Sequence, residues 1–459
     1  MPGDYSALSK GELITIIFKQ VREIEILKET IIELQEKIKQ KTDGDNSSKS
    51  TPSRVKANVK KKASGRRKLR DHGFSRKLDV PTQKVFHSYD ACPNCDGLLG
   101  TPSVAYTRQV IDIPVVQYEV VEHVVFKRYC FNCQRRFYPK INLSSLVLGK
   151  GRIGINLMSA IFAMRQDSNM SVNQIKDHLS SFYQLDLSLG EIIEILHQEA
   201  KLGEDEVEKI KQNLLSSKVI YADETGGREN GVNGYHWSFS NEQFQLLLYR
   251  RSRSAKVVKE VFGEDGENFE GVCVSDFYSS YNLYLGPHQR CWVHFLRDVN
   301  KLEEDNSTDR KLKTWANNIH SLYEEAKSYP GPAPNLPPGL KEQERTLKEG
   351  YFKQKLKSLC DPYLKTITPQ ATLSARALRF LPEMFTFIRF EGVKSDNNLA
   401  ERAVRKTVIQ RKVSFGTRSA KGSNTKSILG SLFGTWRLQN LNPFEQMKLL
   451  LLNASCQGL

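Results

Sequence analysis

The sequence predicts a multidomain α/β protein in which a mixed-sheet core with a helical insertion follows a coiled coil, a four-cysteine ribbon and a helical module. Three observations lead there. Ile17, Ile24, Ile31 and Ile38 recur every seven residues, with Leu13, Gln20, Leu27 and Leu34 offset by three. Cys92-Pro-Asn-Cys95 and Cys130-Phe-Asn-Cys133 form two CxxC pairs separated by 34 residues. Two short apolar runs, 218–223 and 271–276, each end in a carboxylate, with hairpin and helix patterns between them. At 459 residues the chain has room for two or three domains with their own cores.

Charge narrows the partners. Lys and Arg number 68 against 52 Asp and Glu, a net charge of +16, and the pI is near 9.3. Such an excess favours a polyanion. No apolar run approaches the roughly 20 residues of a membrane helix, and the N-terminus lacks a signal-peptide pattern. A membrane partner is therefore excluded and a cytoplasmic location expected. Eight cysteines in so long a chain are not a disulfide scaffold; the paired four point to metal. Cys273, Cys291, Cys360 and Cys456 read as ordinary thiols.

The elements follow in chain order. Residues 1–42 form the coiled coil, where isoleucine at a and leucine at d favour a parallel two-stranded assembly and hence a homodimer. Residues 43–83 are a disordered basic linker, its cations including Arg66, Arg67 and Lys68 placed to meet phosphate. Residues 84–145 are the ribbon, in which Cys92, Cys95, Cys130 and Cys133 close a tetrahedral Zn2+ site around strands at 115–120 and 123–126. Residues 146–212 are helical with helix-turn-helix spacing: Ser171 and Ser188 cap helices running to about Tyr183 and Ala200. The second helix carries Glu191, Glu194 and Glu199, a poor surface for a major groove. Residues 213–425 hold the mixed sheet, with a helical insertion at about 300–390, and 426–459 a C-terminal helical segment.

The core carries the chemistry. An aspartate ending a strand stands at the rim of a sheet, so neighbouring strands can bring Asp223 and Asp276 to one cation. A helix beginning near Asp396 places Asn397, Glu401 and Arg405 on one face, and Glu401 can serve a second cation. Two metals about 3.5–4 Å apart support phosphoryl transfer, and carboxylates suit Mg2+, or Mn2+. Arg402, Arg405, Arg411 and Lys412 are candidate phosphate contacts, and Asn397 can orient Glu401 or a metal-bound water. Taken singly, each carboxylate is more often a turn or solvated residue than a catalytic one, and Glu224 and Asp396 are adjacent alternatives.

Several segments together resemble the DDE transposases of the insertion sequence sixty-six family: Ser395-Asp-Asn-Asn-Leu-Ala-Glu-Arg-Ala-Val-Arg405 followed by Gln410-Arg-Lys-Val-Ser-Phe415-Gly416, Ala222-Asp-Glu-Thr225 before Trp237, Ser275-Asp-Phe-Tyr-Ser-Ser-Tyr281, and Cys291-Trp-Val-His294. The resemblance implies an RNase H-like core, an acidic triad of Asp223, Asp276 and Glu401, and cut-and-join chemistry on double-stranded DNA at inverted-repeat ends and a target. It implies accessory proteins of the element and a bacterial or archaeal, nucleoid-associated setting. His294 falls in a family motif, with an active-site or a packing role. Where the family pattern has glycine directly after each CxxC, this chain has Asp96 and Gln134. Two other readings stand beside the transposase: a zinc-ribbon DNA-binding regulator with a decayed core, and a hydrolytic nuclease of the same fold.

Overall fold

A computed structural model of the chain describes residues 79–113 and 116–456. The heptads of 10–40 and the cluster Arg66, Arg67 and Lys68 lie outside the described residues. Two compact units divide at residue 114. In the first, 79–113 form neither helix nor strand. In the second, 116–127 are also without strand, against the expectation for 115–120 and 123–126. Alternation makes a strand only where a ladder partner and an apolar face take it up, and here Tyr118, Val120, Val124 and Phe126 are exposed. The first ladder pairs β1 (Arg128–Cys130) with β2 (Arg135–Phe137).

Four helices follow: α1 (Ile155–Gln166), α2 (Val172–Tyr183), α3 (Leu189–Leu202) and α4 (Glu204–Leu215). Ser171 and Ser188 start α2 and α3 as the sequence places them, each in a capping box, with Gln174 and Glu191 reaching back to the cap nitrogen. Ile161, Phe162, Ile175 and Ile192 are fully buried and share one core with the sheet.

The sheet begins with an antiparallel meander, β3 (Val219–Glu229), β4 (Val232–Ser240) and β5 (Gln245–Arg250). The β3–β4 turn is Asn230-Gly231, both at positive φ (49° and 78°), as a two-residue hairpin requires. This hairpin carries β3 six residues past Asp223, where the sequence expected the strand to end; pairing continues with β4 to Glu229↔Val232. After α5 (Lys256–Phe262) come β6 (Val272–Ser275), a 3-10 turn (Ser279–Leu283) and β7 (His288–Arg290), with β6 parallel to both β3 and β7. The order is β5-β4-β3-β6-β7. By the two-residue period, Ile220 and Ala222 of β3 join the large core, while Tyr221 faces a smaller one with Val272 and Val274.

The insertion comprises α6 (Trp292–Asp305), α7 (Arg310–Lys327), α8 (Pro338–Cys360), α9 (Ala371–Arg379), α10 (Leu381–Met384) and α11 (Thr386–Arg389). It packs its own core around Trp292, Phe295, Trp315 and Phe385, and the proline-rich stretch 330–337 separates α7 from α8. It also closes the edge of β7: Thr386 donates to the His288 carbonyl at 2.6 Å and Phe387 N to the Gln289 side chain at 2.9 Å. The chain ends in α12 (Asn398–Ser414), α13 (Ala420–Leu438) and α14 (Pro443–Cys456). At the other edge, Leu247 N donates to Ser431 of α13 at 2.8 Å and Gln245 N to Thr435 at 3.0 Å. No described helix is long and apolar enough to cross a membrane.

One charge is out of place in the helical module. Glu199 of α3 is fully buried and neither carboxylate oxygen has a hydrogen-bond partner among the described residues. Burial holds its pKa well above the usual range and so favours the protonated form. Because the folded state keeps a proton that the unfolded state releases near pH 4, stability falls as pH rises above that point. The non-titrating Glu199→Gln variant should therefore gain on wild type in thermal unfolding as pH goes from 5 to 8, whereas a constant difference would place Glu199 in water. Glu199→Leu should raise stability by about 1–3 kcal/mol at pH 7.

Candidate active site

The register of β3 with β6 positions two acids. The last rung of that parallel pairing is Tyr221↔Val274. Asp223 and Asp276 each stand two residues beyond it, so both continue the alternation that puts Tyr221 and Val274 on the face covered by Leu399 and Ala400 of α12. Glu401 is the next residue, in the first turn of that helix. The convergence shows in the electrostatics: the Asp223 carboxyl is pushed up to about 8, by burial first, then by Glu224, Asp276 and Glu401.

The supports of these acids come from distant parts of the chain. Asn397, fully buried, donates its side-chain amide to the Ala222 carbonyl at 2.8 Å, and its backbone N–H points at Cys291 Sγ at 3.2 Å. Its own carbonyl accepts from Glu401 N at 3.1 Å. The Asp276 carboxylate accepts from Tyr278 N at 2.9 Å, and the Asp276 carbonyl from Arg290 Nη1 at 2.8 Å. Arg290 is fully buried; it donates from Nε to Glu383 at 2.6 Å and from Nη2 to Asn282.

His294 lies on the first turn of α6 with Nδ1 3.7 Å from Glu401 Oε1. Both atoms are buried and without a hydrogen-bond partner among the described residues, as is Asn397 Oδ1. Ligand atoms of Cys291, His294 and Glu401 lie within 4.8 Å of one another. Sequence reasoning took Cys291 for an ordinary thiol; its three-residue spacing to His294, which brackets a helix start, was the available signal. Burial pushes its thiol up to about 11. The orphaned oxygen and nitrogen and the raised Asp223 fit a hard divalent cation held by carboxylates with one imidazole, Mg2+ or Mn2+.

The two adjacent alternatives are engaged elsewhere. Glu224 takes Arg253 Nη2 at 2.6 Å and the Tyr281 hydroxyl on the other face of the sheet, and Asp396 accepts from Asn398 N at 3.0 Å at the start of α12. Arg402, Arg405 and Lys412 are exposed on α12. Arg411 is half-buried and donates to the Gly226 carbonyl, pinning the end of α12 to β3.

Each CxxC pair is a tight turn. Cys92 O accepts from Cys95 N at 3.3 Å and Asp96 N at 2.8 Å, and the Cys130–Cys133 turn joins β1 to β2. Asp96 and Gln134 both adopt left-handed φ, 54° and 51°, which is why glycine suits these positions. The backbone N–H groups of Asn94 beside Cys92, and of Cys133 beside Cys130, lower the two thiols toward the thiolate a metal needs.

Asp223 gives the site a testable titration. Without metal the folded state holds its proton up to about pH 8, and the unfolded state releases it near pH 4, so stability falls across that window. Asp223→Asn should therefore gain on metal-free wild type in melting temperature between pH 5 and pH 8. Mg2+ should stabilise wild type more at pH 8 than at pH 6 and leave the variant unmoved; equal Mg2+ responses would remove Asp223 from the cation site.

Comparison with known families gives two matches. The model for the Transposase IS66 family matches residues 150–425, more than half of the chain. The model for the zinc-finger binding domain of transposase IS66 matches residues 90–134, a span that includes both CxxC pairs. No curated protein matches the chain. With the family's core and its zinc-finger domain both present in order, the chain belongs to the IS66 transposase family.

Proposed function

We propose that this protein is a DNA transposase that cuts insertion-sequence ends and joins their 3′-hydroxyls to target DNA, with Asp223, Asp276 and Glu401 as the ligands of two Mg2+ or Mn2+ ions. The observation that carries the reading is the placement of both aspartates two residues past the last β3–β6 rung, with Glu401 brought to the same face by α12. An antiparallel meander followed by two parallel strands, in the order β5-β4-β3-β6-β7, supports an RNase H-like core.

Bound divalent metal supplies activation of a water or 3′-hydroxyl and neutralises the leaving oxygen of an in-line displacement. The residues do the rest. Asp223 would hold a cation as its carboxylate, whereas burial among other acids favours its neutral form when none is bound. Asn397 fixes the start of α12 and so the reach of Glu401. His294 Nδ1 stands beside Glu401 as an additional donor. Arg402 and Arg405 present guanidinium groups to the DNA backbone along α12.

Cys92, Cys95, Cys130 and Cys133 are the Zn2+ ligands in this reading, supported by the zinc-finger match. The ribbon at 84–145, the linker at 43–83 with Arg66, Arg67 and Lys68, and the module at 146–212 hold DNA; the coiled coil at 1–42 pairs protomers. The complete triad favours an active enzyme over a decayed regulator.

Strand transfer with pre-cut element-end DNA and a plasmid target tests the core. Wild type with Mg2+ should join; Asp223→Asn and Glu401→Gln should fall below detection while retaining DNA binding. Metal-dependent nicking without joining would indicate the nuclease, and binding with neither activity the decayed regulator. For the ribbon, Cys92→Ser should abolish the zinc found by elemental analysis of the purified chain; unchanged zinc content would refute the ligand set.

A further inference from the structure

The face of α12 turned away from Glu401 borders a cavity of about 410 Å³. Leu399, Arg402, Lys406 and Gln410 recur there at helical spacing and line it; at 3.6 residues per turn their stripe is opposite Glu401. α13 forms the facing wall through Lys426, Ser427 and Arg437, and β4 and β5 form the floor. Five cations line the cavity, Lys394, Arg402, Lys406, Lys426 and Arg437, against the single carboxylate of Glu242.

Their pairing is uneven. Lys394 meets Glu242 at 2.8 Å, Arg437 meets Asp167 at 2.6 Å, and Lys406 donates to the Asp167 carbonyl at 3.2 Å. Arg402 and Lys426 make no ion pair among the described residues. Lys426 is half-buried, and the charges that act on it, Arg165 and Arg411, are also positive. Burial first, then these two cations, pull its amine down to about 7. A lysine held among cations beside an open space lacks a counter-charge, and an anion in that space restores its ionised form.

We propose that this cavity binds a phosphate group, with Lys426 on one wall and Arg402 and Lys406 on the other. A tetrahedral dianion meets cations from two helices at once, and the Thr407 hydroxyl lies in the same lining. The volume sits at the low end for small-ligand pockets, enough for a phosphate carrying a nucleoside-sized group. A phosphodiester of DNA and a free phosphorylated molecule present the same chemistry. The inference concerns a cavity that contains none of the three acids, and it holds whether or not the chain joins DNA.

The test uses the full chain without added divalent metal. Thermal unfolding is followed in inorganic phosphate and in chloride at matched ionic strength, for wild type, Lys426→Met and Arg402→Ala. Phosphate should raise the wild-type melting temperature by several degrees over chloride, with the shift lost in Lys426→Met and reduced in Arg402→Ala. A labelled DNA duplex forms the second arm. If the occupant is a DNA phosphate, Lys426→Met should weaken binding about tenfold and lower the salt slope by about 1. Unchanged duplex binding with the phosphate shift intact in wild type assigns the cavity to a free phosphorylated ligand. Equal melting in phosphate and chloride, or a phosphate shift that persists in both variants, overturns the proposal. Should Lys426→Met fail to fold, Arg402→Ala, at an exposed position, decides it alone.

Discussion

The Ala222 carbonyl is the point on which the acidic constellation turns. It lies one residue past the last rung that β3 shares with β6, and a buried carbonyl must find a donor. Asn397 supplies it, and the same residue offers its N–H to Cys291 and its carbonyl to Glu401 N. One residue thus ties β3, the start of α6 and the start of α12 together. Each hydrogen bond is worth only about 1 kcal/mol net. Their value lies in geometry: they fix a helical carboxylate against two strand-borne ones separated from it by more than a hundred residues.

Arg290 does for Asp276 what Asn397 does for Glu401. A buried guanidinium is tolerable only with its donors satisfied, and here they go to Glu383 of the insertion, Asn282 after β6 and the Asp276 backbone, with the Phe380 ring 4.7 Å from the guanidinium carbon. The insertion is therefore attached to the sheet through the residue that steadies the second aspartate. Its own core around Trp292 and Phe385 makes that anchor rigid, which gives the helices of 292–389 a part in the site although none of the three acids comes from them.

What could be read from sequence was what local chemistry specifies. Ser171 and Ser188 mark helix starts because a hydroxyl and a residue three places on satisfy orphan N–H groups within a single turn. Asp223 and Asp276 were singled out because each ends an apolar run, and Glu401 because a helix from near Asp396 puts it on one face with Asn397 and Arg405. The strands expected at 115–126 failed because alternation states which faces differ without stating that a partner exists. β3 runs past Asp223 because its hairpin with β4 prolongs pairing on one side after β6 has parted on the other. Arg290, Glu383 and Cys291 were not legible as supports, since their roles depend on neighbours up to a hundred residues away. The heptads of 10–40, with Arg66, Arg67 and Lys68, lie outside the described residues.

The treatment of the two sheet edges limits how copies of this chain can assemble. The backbone of β5 is engaged by hydroxyls of α13, and at β7 the His288 carbonyl and the Gln289 side chain are engaged by α11. A second protomer cannot lengthen this sheet by laying a strand alongside it without first displacing those groups. Aggregation by edge-to-edge pairing is suppressed for the same reason. Protomers that come together do so through helices or through segments beyond the sheet, leaving the strand ends that carry Asp223 and Asp276 undistorted by assembly.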